Sequence, residues 1–125
     1  MSSFFEELED ISQHVVFPAS EALDVPFTGL PKGNISGKLM TPVDFNPKAE
    51  PYLIEIPPKT NLASHFFIHK GEEIGYMLSG TLQLQLERES YTVQKGDLIY
   101  FTTEMPSKWK NPGPDVAKLL WLKIK

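Results

Sequence analysis

A histidine and a glutamate four residues apart are the first pair in this sequence with the potential for chemistry. They are His69 and Glu73, in the stretch FIHKGEEIGYMLSG from Phe67 to Gly80. Neutral imidazole and carboxylate oxygen are common ligands of Fe, Mn, Ni and Zn. A metal held firmly by a protein typically needs three or four such ligands. This pair would therefore be half of a site whose other half lies elsewhere in the chain.

Few other residues are available to complete such a site. The chain contains three histidines and no cysteine among its 125 residues, which excludes thiolate metal sites, disulfides and cysteine nucleophiles. We find no Ser-His-Asp arrangement for nucleophilic catalysis. The segment GLPKGNISGK has glycines and lysines without the spacing of a phosphate-binding loop.

The charge balance argues against nucleic acid as a direct partner. Twelve Lys and Arg against sixteen Asp and Glu give a net charge of −4, and binding to a phosphate backbone is mostly electrostatic. The lysines near the C-terminus predict a solvated face. The N-terminus, MSSFFEELEDISQ, is acidic, and no segment is long and apolar enough to span a bilayer. A cytoplasmic location and no membrane contact are expected.

Short strands separated by turns are predicted for most of the chain. The first dozen residues predict a short helix, with Ser2 or Ser3 as its cap. Eleven prolines and eight glycines are scattered beyond it and disfavour a second helix. The predicted strands are His14–Phe17, Ser36–Val43, Tyr52–Ile56, Ser64–His69, Ile74–Gly80, Thr81–Glu87, Ser90–Gln94, Asp97–Thr103 and Ala117–Ile124.

This strand pattern predicts an all-β fold. Many short strands at regular spacing are typical of an antiparallel sandwich or barrel, and the length suits one domain. We expect residues 1–20 to form a helical connector arm and residues 21–125 to form the barrel.

Counting from Glu73 reveals a motif. The stretch from Asn61 to Gly80 resembles the first motif of the cupin superfamily, G-x5-H-x-H-x(3–4)-E-x6-G. Glu73 and Gly80 hold its last two positions, and His69 holds the second histidine position. Phe67 stands at the first histidine position and Asn61 at the leading glycine.

The second cupin motif, G-x5-P-x-G-x2-H-x3-N, is matched at its two ends. Gly96 and Asn111 hold these ends, whereas Thr102, Glu104 and Ser107 replace the proline, the glycine and the histidine. The resemblance covers roughly the C-terminal two-thirds of the chain, and it implies an antiparallel jelly-roll β-barrel.

A narrower resemblance is to bacterial transcription regulators. HKGEEIGYMLSGTLQLQLERESYTVQKGDLIYF, with MPSKWKNPG after it, is similar to the C-terminal cupin domain of XRE-type regulators, which also carry a helix-turn-helix domain. SSFFEELED followed by HVVF resembles their connector. No helix-turn-helix precedes these segments in the sequence, so the expectation is either a stand-alone relative or a sensing domain separated from its DNA-binding half.

The family resemblance implies a metal that these residues are poorly suited to hold. Cupins bind a divalent metal through three histidines and a glutamate, and here only His69 and Glu73 keep such positions. His65 is a possible substitute, because residues 65, 67 and 69 share one face of the predicted strand. It would lie about 6–7 Å from the Phe67 position, too far for the same metal. A metal-free pocket is favoured, with no cofactor beyond a weakly held divalent metal.

Five residues are expected to line this pocket in the barrel. Phe67 and Trp109 would supply apolar surface, while His69, Glu73 and Ser107 would orient a polar group of the ligand. Each also has a simpler structural interpretation: core packing for the aromatic residues, a hydrogen-bonded wall for the His–Glu pair, and a strand start for Ser107.

The resulting prediction is a non-enzymatic, small-molecule-binding domain, either the sensor of a transcription regulator or a stand-alone relative. The alternative is a metal-dependent dioxygenase, isomerase or lyase whose site is rebuilt from His65, His69 and Glu73. A purely structural, dimerising module is a third possibility. A homodimer is expected in each case, formed through edge strands with exchange of the HVVF arm.

Overall fold

The structure is built from short β-strands. It is a computed structural model that describes residues 15–27, 35–67, 71–103 and 106–125. Within these ranges a 3-10 turn at Ala19–Glu21 precedes the strands, and no helix has the length and apolar character needed to cross a membrane. The strands are β1 (Leu23–Asp24), β2 (Ser36–Leu39), β3 (Ala49–Ile56), β4 (Thr60–Leu62), β5 (Glu73–Ser79), β6 (Thr81–Leu86), β7 (Glu89–Gln94), β8 (Leu98–Phe101), β9 (Lys108–Asn111) and β10 (Ala117–Ile124).

The strands form two antiparallel sheets. A six-stranded sheet has the order β1-β2-β3-β10-β5-β8, and a four-stranded sheet has the order β4-β9-β6-β7. Their inner faces share one hydrophobic core, as in a sandwich of two sheets. The prediction of an all-β, antiparallel jelly roll is confirmed.

Alternating burial explains why these segments form strands. In β3 the buried residues Tyr52, Ile54 and Ile56 alternate with partly exposed ones, and successive side chains of a strand point to opposite faces. β10 follows the same rule with Leu119 and Trp121 inward. Burying one such side chain contributes roughly 1.5–3 kcal/mol, so a shift by one residue would expose the whole set.

Asn111, at the end of β9, connects this strand to the end of β3 and to the loop that precedes β10. Its side chain is fully buried. The amide nitrogen donates to the carbonyl oxygens of Ile56 and Pro57 at 3.0 Å and of Asp115 at 2.9 Å. Its carbonyl oxygen accepts from the N–H of Gly113 at 3.1 Å. The asparagine therefore satisfies backbone groups that would otherwise be buried without partners.

The structure differs from the predicted elements around His65. Residues 64–67 do not form the predicted strand, because His65, Phe66 and Phe67 are all buried in succession and a strand would turn every second side chain outward. Residues 15–17 are likewise not a strand. The predicted N-terminal helix, His14 and the last two residues of the 64–69 segment lie outside the described residues.

Three strands, β1, β4 and β9, were not predicted. Each is short, and β9 has the sequence KWKN, in which the two inward positions are Trp109 and Asn111. An asparagine at a buried position hides the alternation that marks a strand, which explains why the pattern was missed.

Candidate functional site

Glu73 begins β5 with its side chain turned into the core. The burial pattern of β5 puts Glu73, Gly75 and Met77 on the inner face, and Glu73 is only 2% exposed. Burying a carboxyl group is costly unless it is hydrogen-bonded. Its partners therefore indicate what the site is built to do.

Two N–H groups are directed at one oxygen of Glu73. Nε2 of His65 lies 2.9 Å from Oε1, and the indole N–H of Trp121 donates to the same oxygen at 2.8 Å. Trp121 reaches it from β10, whose register places Trp121 opposite Gly75. A β-carbon at Gly75 would lie 2.3 Å from Cζ3 of Trp121. The glycine therefore makes room for the indole that binds Glu73.

The second nitrogen of His65 also has a partner. The indole N–H of Trp109 lies 3.2 Å from Nδ1 of His65. Because an indole can only donate, Nδ1 must accept, and the ring proton must sit on Nε2. His65 is thus held as the Nε2–H tautomer, donating to Glu73 and accepting from Trp109. We call Glu73, His65, Trp109 and Trp121 the core network.

Aromatic rings enclose the core network. The His65 ring lies 4.4 Å from Phe66, 5.5 Å from Trp121 and 5.9 Å from Phe101, measured between centroids. His65 is itself 6% exposed. These rings exclude water from His65 and Glu73, so the hydrogen bonds between them lie in a medium of low polarity. Hydrogen bonds are strong in such a medium, and losing one is costly.

The described residues do not form a metal-binding set of the cupin type. Both ring nitrogens of His65 are engaged, and Phe67 occupies the first histidine position of the motif with an apolar ring. No cluster of three or more potential ligands occurs within the described ranges. His69, the other histidine of the motif, lies outside them, so its predicted role is not tested.

The histidine that pairs with Glu73 in the described residues is thus His65, which the sequence offered only as a poorly placed substitute. The separation of 6–7 Å applies only to a regular strand from residue 64 to residue 69. Because residues 65–67 turn inward together, His65 reaches Glu73 directly.

The structure places the other predicted site residues in two different settings. Phe67 and Trp109 are buried in the aromatic core; the Phe67 ring lies 4.7 Å from that of Tyr52. Ser107 is exposed, and its hydroxyl and N–H contact the carbonyl oxygen of Gln85 at 3.2 and 2.8 Å. Ser107 is therefore not brought to the core network, and all five ligand-binding roles stay predictions.

A charged cluster borders Phe67 at one end of β3 and β10. The Tyr52 hydroxyl donates to Glu50, and Nζ of Lys123 and of Lys125 lie 3.5 and 3.2 Å from the Glu50 carboxylate. Burial works to raise the pKa of Glu50, but the hydrogen bonds and the two lysine charges hold that pKa below its usual value. Burial, with Glu50 nearby, raises the pKa of Tyr52. Nζ of Lys123 also lies 4.7 Å from the Phe67 ring centroid.

An open cleft lies between the edges of the two sheets, where β7 ends one and β8 ends the other. Two adjoining cavities of about 400 and 700 Å³ form it, a size typical of small-molecule sites. Tyr91 and Tyr100 stand at its rim, and their hydroxyls donate to Glu89 and Glu72. The apolar lining comes from Leu84, Leu86, Val93, Ile99 and Phe101.

Phe101 connects this cleft to the core network. Its side chain lines both cavities, and its ring centroid is 5.9 Å from those of His65 and of Trp121. In the pairing of β5 with β8, Phe101 is directly opposite Glu73. The ring therefore separates the open cleft from the buried polar groups.

The sequence profile of the Cupin domain family, Cupin_2, matches residues 52–123, which include the core network and the cleft. The chain belongs to this cupin family. The cupin domain is also similar to an uncharacterised protein of Methanocaldococcus jannaschii, with 35% identity over 68 residues. These are 54% of this chain and 52% of that protein, so the cupin domain spans about half the length of the curated relative.

Solved structures share the fold of this cupin domain. A predicted oxalate decarboxylase of Thermotoga maritima has a TM-score of 0.68 at 22% identity, covering 87% of this chain and 97% of that one. A sugar phosphate isomerase of Silicibacter pomeroyi has 0.71 at 12%, covering 88% and 75%. The Cupin_2 domain of an XRE-family transcriptional regulator of Enterobacter cloacae has 0.60 at 19%, covering 71% and 94%. Identities this low establish the fold alone.

Trp121 is the site residue that sequence reasoning missed. A signal for it exists: AKLLWLKI alternates in the period of a strand, which puts Trp121 on the same face as Leu119. A buried indole usually finds an acceptor for its N–H, and Glu73 is a buried carboxyl group on the neighbouring strand.

Proposed function

We propose that this cupin domain binds a small molecule with both apolar and polar groups in the cleft between β7 and β8 without transforming it. In this proposal it is the sensing domain of a transcription regulator or a stand-alone relative. The observation that carries the proposal is the cleft itself. Apolar core residues line its smaller cavity, Glu87, Arg88 and Glu89 line the larger one beside the phenols of Tyr91 and Tyr100, and the cleft is open at the sheet edges.

The core network supports a binding role over a catalytic one. Each ring nitrogen of His65 already has a protein partner, and one oxygen of Glu73 accepts two N–H groups. Groups whose hydrogen bonds are already made to other protein groups are not positioned to exchange a proton with a substrate. They act as part of the rigid core instead. Phe101 stands between this wall and the cleft, so a ligand in the cleft would contact Phe101 first.

The predicted ligand residues take a modified place in this proposal. Phe67, Glu73 and Trp109 are buried in the core and do not line the cleft, so they would support its wall rather than touch the ligand, while the roles of His69 and Ser107 stay predictions. The structural likeness to the regulator domain of Enterobacter cloacae supports the sensing role, and such a regulator would work in the cytoplasm.

The proposal is tested with 1-anilinonaphthalene-8-sulfonate, an aromatic sulfonate whose fluorescence increases when it moves from water into an apolar site. We expect saturable binding of one probe per chain. Val93 lines the cleft and is 6% exposed, and Val93→Phe would fill the cleft with the larger ring. This variant should bind the probe at least about tenfold more weakly, since a site of this size loses much of its contact surface.

Val43→Phe is the matched control, because Val43 is exposed in a turn and does not line the cleft. Near-UV circular dichroism of both variants verifies that the core is intact. Non-saturable binding by the wild type, or equal affinity of folded Val93→Phe and the wild type, would refute a binding cleft. If the probe binds in the cleft as expected, competition by aromatic or aliphatic carboxylic acids would identify the class of ligand.

A metal-dependent enzyme is the second candidate, favoured by one observation. His65 and Glu73 meet at 2.9 Å in the barrel centre, and those two residues belong to the rearranged site that the sequence suggested. Metal analysis of protein purified without chelating resin discriminates the two functions. Near-stoichiometric Fe, Mn, Ni or Zn that is lost in His65→Ala favours the enzyme.

A further inference from the structure

The outer face of the four-stranded sheet carries only neutral polar and basic side chains. Because Leu82, Leu84 and Trp109 are buried, the alternate positions of their strands point outward. None of the outward positions in the four strands is acidic, although acidic residues outnumber basic ones by sixteen to twelve in the whole chain. The outward residues are Asn61, Thr81, Gln83, Gln85, Ser90, Thr92, Gln94, Lys108 and Lys110.

Strand register places Lys108 and Lys110 in the middle of this face. Lys110 has Asn61 on one side and Gln83 on the other. Lys108 has Gln85 as its neighbour on β6. Residues two apart on a strand are separated by about 7 Å. Two ammonium groups therefore share one face, each beside at least one side-chain amide that can donate a hydrogen bond.

A groove of about 360 Å³ lies on this face, a volume within the range of small-molecule sites. Its polar lining residues are Asn61, Gln83, Gln85, Ser90, Lys108 and Lys110. None of these six residues lines the cleft between β7 and β8. The groove is thus a second concave surface, separate from the cleft of the proposed function.

The two lysines of the groove lack the carboxylate partners that lysines near the end of β10 have. Nζ of Lys123 and of Lys125 lie 3.5 and 3.2 Å from the carboxylate of Glu50. Within the part of the chain that the structure describes, neither Lys108 nor Lys110 forms an ion pair. The two ammonium groups repel each other, and an anion placed between them is attracted by both. Their charge is therefore available to an anionic ligand.

We propose that this groove binds a small organic molecule with two anionic groups, either carboxylates or phosphates. One anionic group would lie against each ammonium group, and the amides of Gln83 and Gln85 would donate hydrogen bonds to the same oxygens. A nucleic-acid backbone is not the expected partner, because proteins that bind one neutralise many phosphates, whereas two lysines line the groove. The proposal goes beyond the one for the cleft and does not depend on it.

Titrations followed by nitrogen-15 correlation spectra test the proposal, at about 20 mM salt to limit screening. Adipate carries two carboxylates, and hexanoate is its control with the same number of carbons and one carboxylate. Propane-1,3-diphosphonate and propylphosphonate form the corresponding pair for phosphate. We expect saturable shifts of β6 and β9 resonances with at least one of the doubly substituted probes, and binding about fivefold weaker or more by its control. The pair that shows this difference identifies the anionic group.

Lys110→Gln removes one charge from the groove and should raise the dissociation constant of the bound probe about fivefold or more. Lys118→Gln is the matched control, because Lys118 is an exposed lysine of the other sheet and its loss changes the net charge equally. This variant should leave the dissociation constant within about twofold.

Two results would overturn the proposal. The first is the absence of saturable binding by both doubly substituted probes. The second is an equal loss of affinity in Lys110→Gln and Lys118→Gln, which would show attraction by the net charge of the protein rather than by the groove. Failure of the fluorescent probe to bind the cleft would change neither result, because the polar residues of the groove do not line the cleft.

Discussion

Trp109 donates its indole N–H to Nδ1 of His65, and this contact of 3.2 Å fixes which nitrogen of the histidine carries the proton. Because Nδ1 is occupied as an acceptor, Nε2 is free to donate to Glu73. The order of the core network therefore follows from the one member that can only donate. Single substitutions can test each of its hydrogen bonds separately.

Trp109→Phe should release the His65 tautomer and destabilise the protein. The substitution removes the donor to Nδ1 and leaves a small void, which together should lower the free energy of unfolding by about 2–4 kcal/mol. Nitrogen-15 spectra of the imidazole should change from a single Nε2–H form to a mixture. Trp121→Phe removes a donor to Glu73 instead and should leave the tautomer unchanged. An unaltered His65 spectrum in Trp109→Phe would contradict the assignment.

Replacements of Glu73 should separate its hydrogen bonding from its shape. Glu73→Gln keeps an oxygen able to accept from His65 and Trp121 and should cost no more than about 1.5 kcal/mol. Glu73→Leu leaves both donors buried without an acceptor and should cost about 3 kcal/mol or more. Urea denaturation measures both. Equal losses for the two variants would show that the acceptor is unimportant.

Asn111→Asp should be far more damaging than its small size change suggests. It removes the side-chain amide that donates to three backbone carbonyl oxygens and buries a charge in its place. We expect a loss of about 3–5 kcal/mol in unfolding free energy. Asn61→Asp makes the same chemical change at an exposed position of β4 and should alter stability by less than about 0.5 kcal/mol.

Gly75→Ala should disturb the indole of Trp121. The added methyl group would lie 2.3 Å from that ring, and overpacking of this kind costs about 1–3 kcal/mol. The near-UV circular dichroism of tryptophan should change with it. Gly113→Ala is the comparison, because its nearest neighbour would be 3.6 Å away. Native-like stability and spectrum in Gly75→Ala would contradict the tight contact.

Glu50 should contribute to acid unfolding. Its pKa is lower in the folded protein than the ordinary 4.5, so its stabilising contribution is complete above about pH 4.5 and is lost as pH falls through the folded value. Glu50→Gln should be less stable than the wild type at pH 7, by no more than about 1 kcal/mol because the group is partly solvated. The difference should disappear in strong acid. Glu21→Gln, at an exposed position, should show no such difference at either pH.

Much of the fold could be predicted from the sequence, because alternation of apolar residues is a local property. The strand Ala117–Ile124 has the bounds that its pattern predicted, and β5, β6 and β7 differ from their predicted bounds by one residue at one or both ends. The same reasoning gave a wrong prediction for residues 64–67, which do not form a strand. Its run of buried residues depends on tertiary packing against both sheets, which no local pattern reports.

The site was predicted in part, for a related reason. Glu73 was identified from motif spacing, but its partner in the described residues is His65, and Trp121 belongs to a strand 48 residues away. The identity of a hydrogen-bond partner depends on register between distant strands. Ser107 kept the motif's spacing, yet its hydroxyl points to the backbone of Gln85 on the surface.

The short strand β8 has two sides that serve different surfaces. Ile99 and Phe101 are buried on the inner face of the sheet, whereas Leu98 and Tyr100 are exposed on its outer face at the mouth of the cleft. Among the described strands, β8 pairs with β5 alone, and a shift of its four-residue backbone would move both sides together. A molecule that displaces the backbone at Phe101 would therefore also displace Tyr100. By thermodynamic reciprocity, a ligand in the cleft and any contact made at the outer surface around Tyr100 would then change each other's affinity by the same factor.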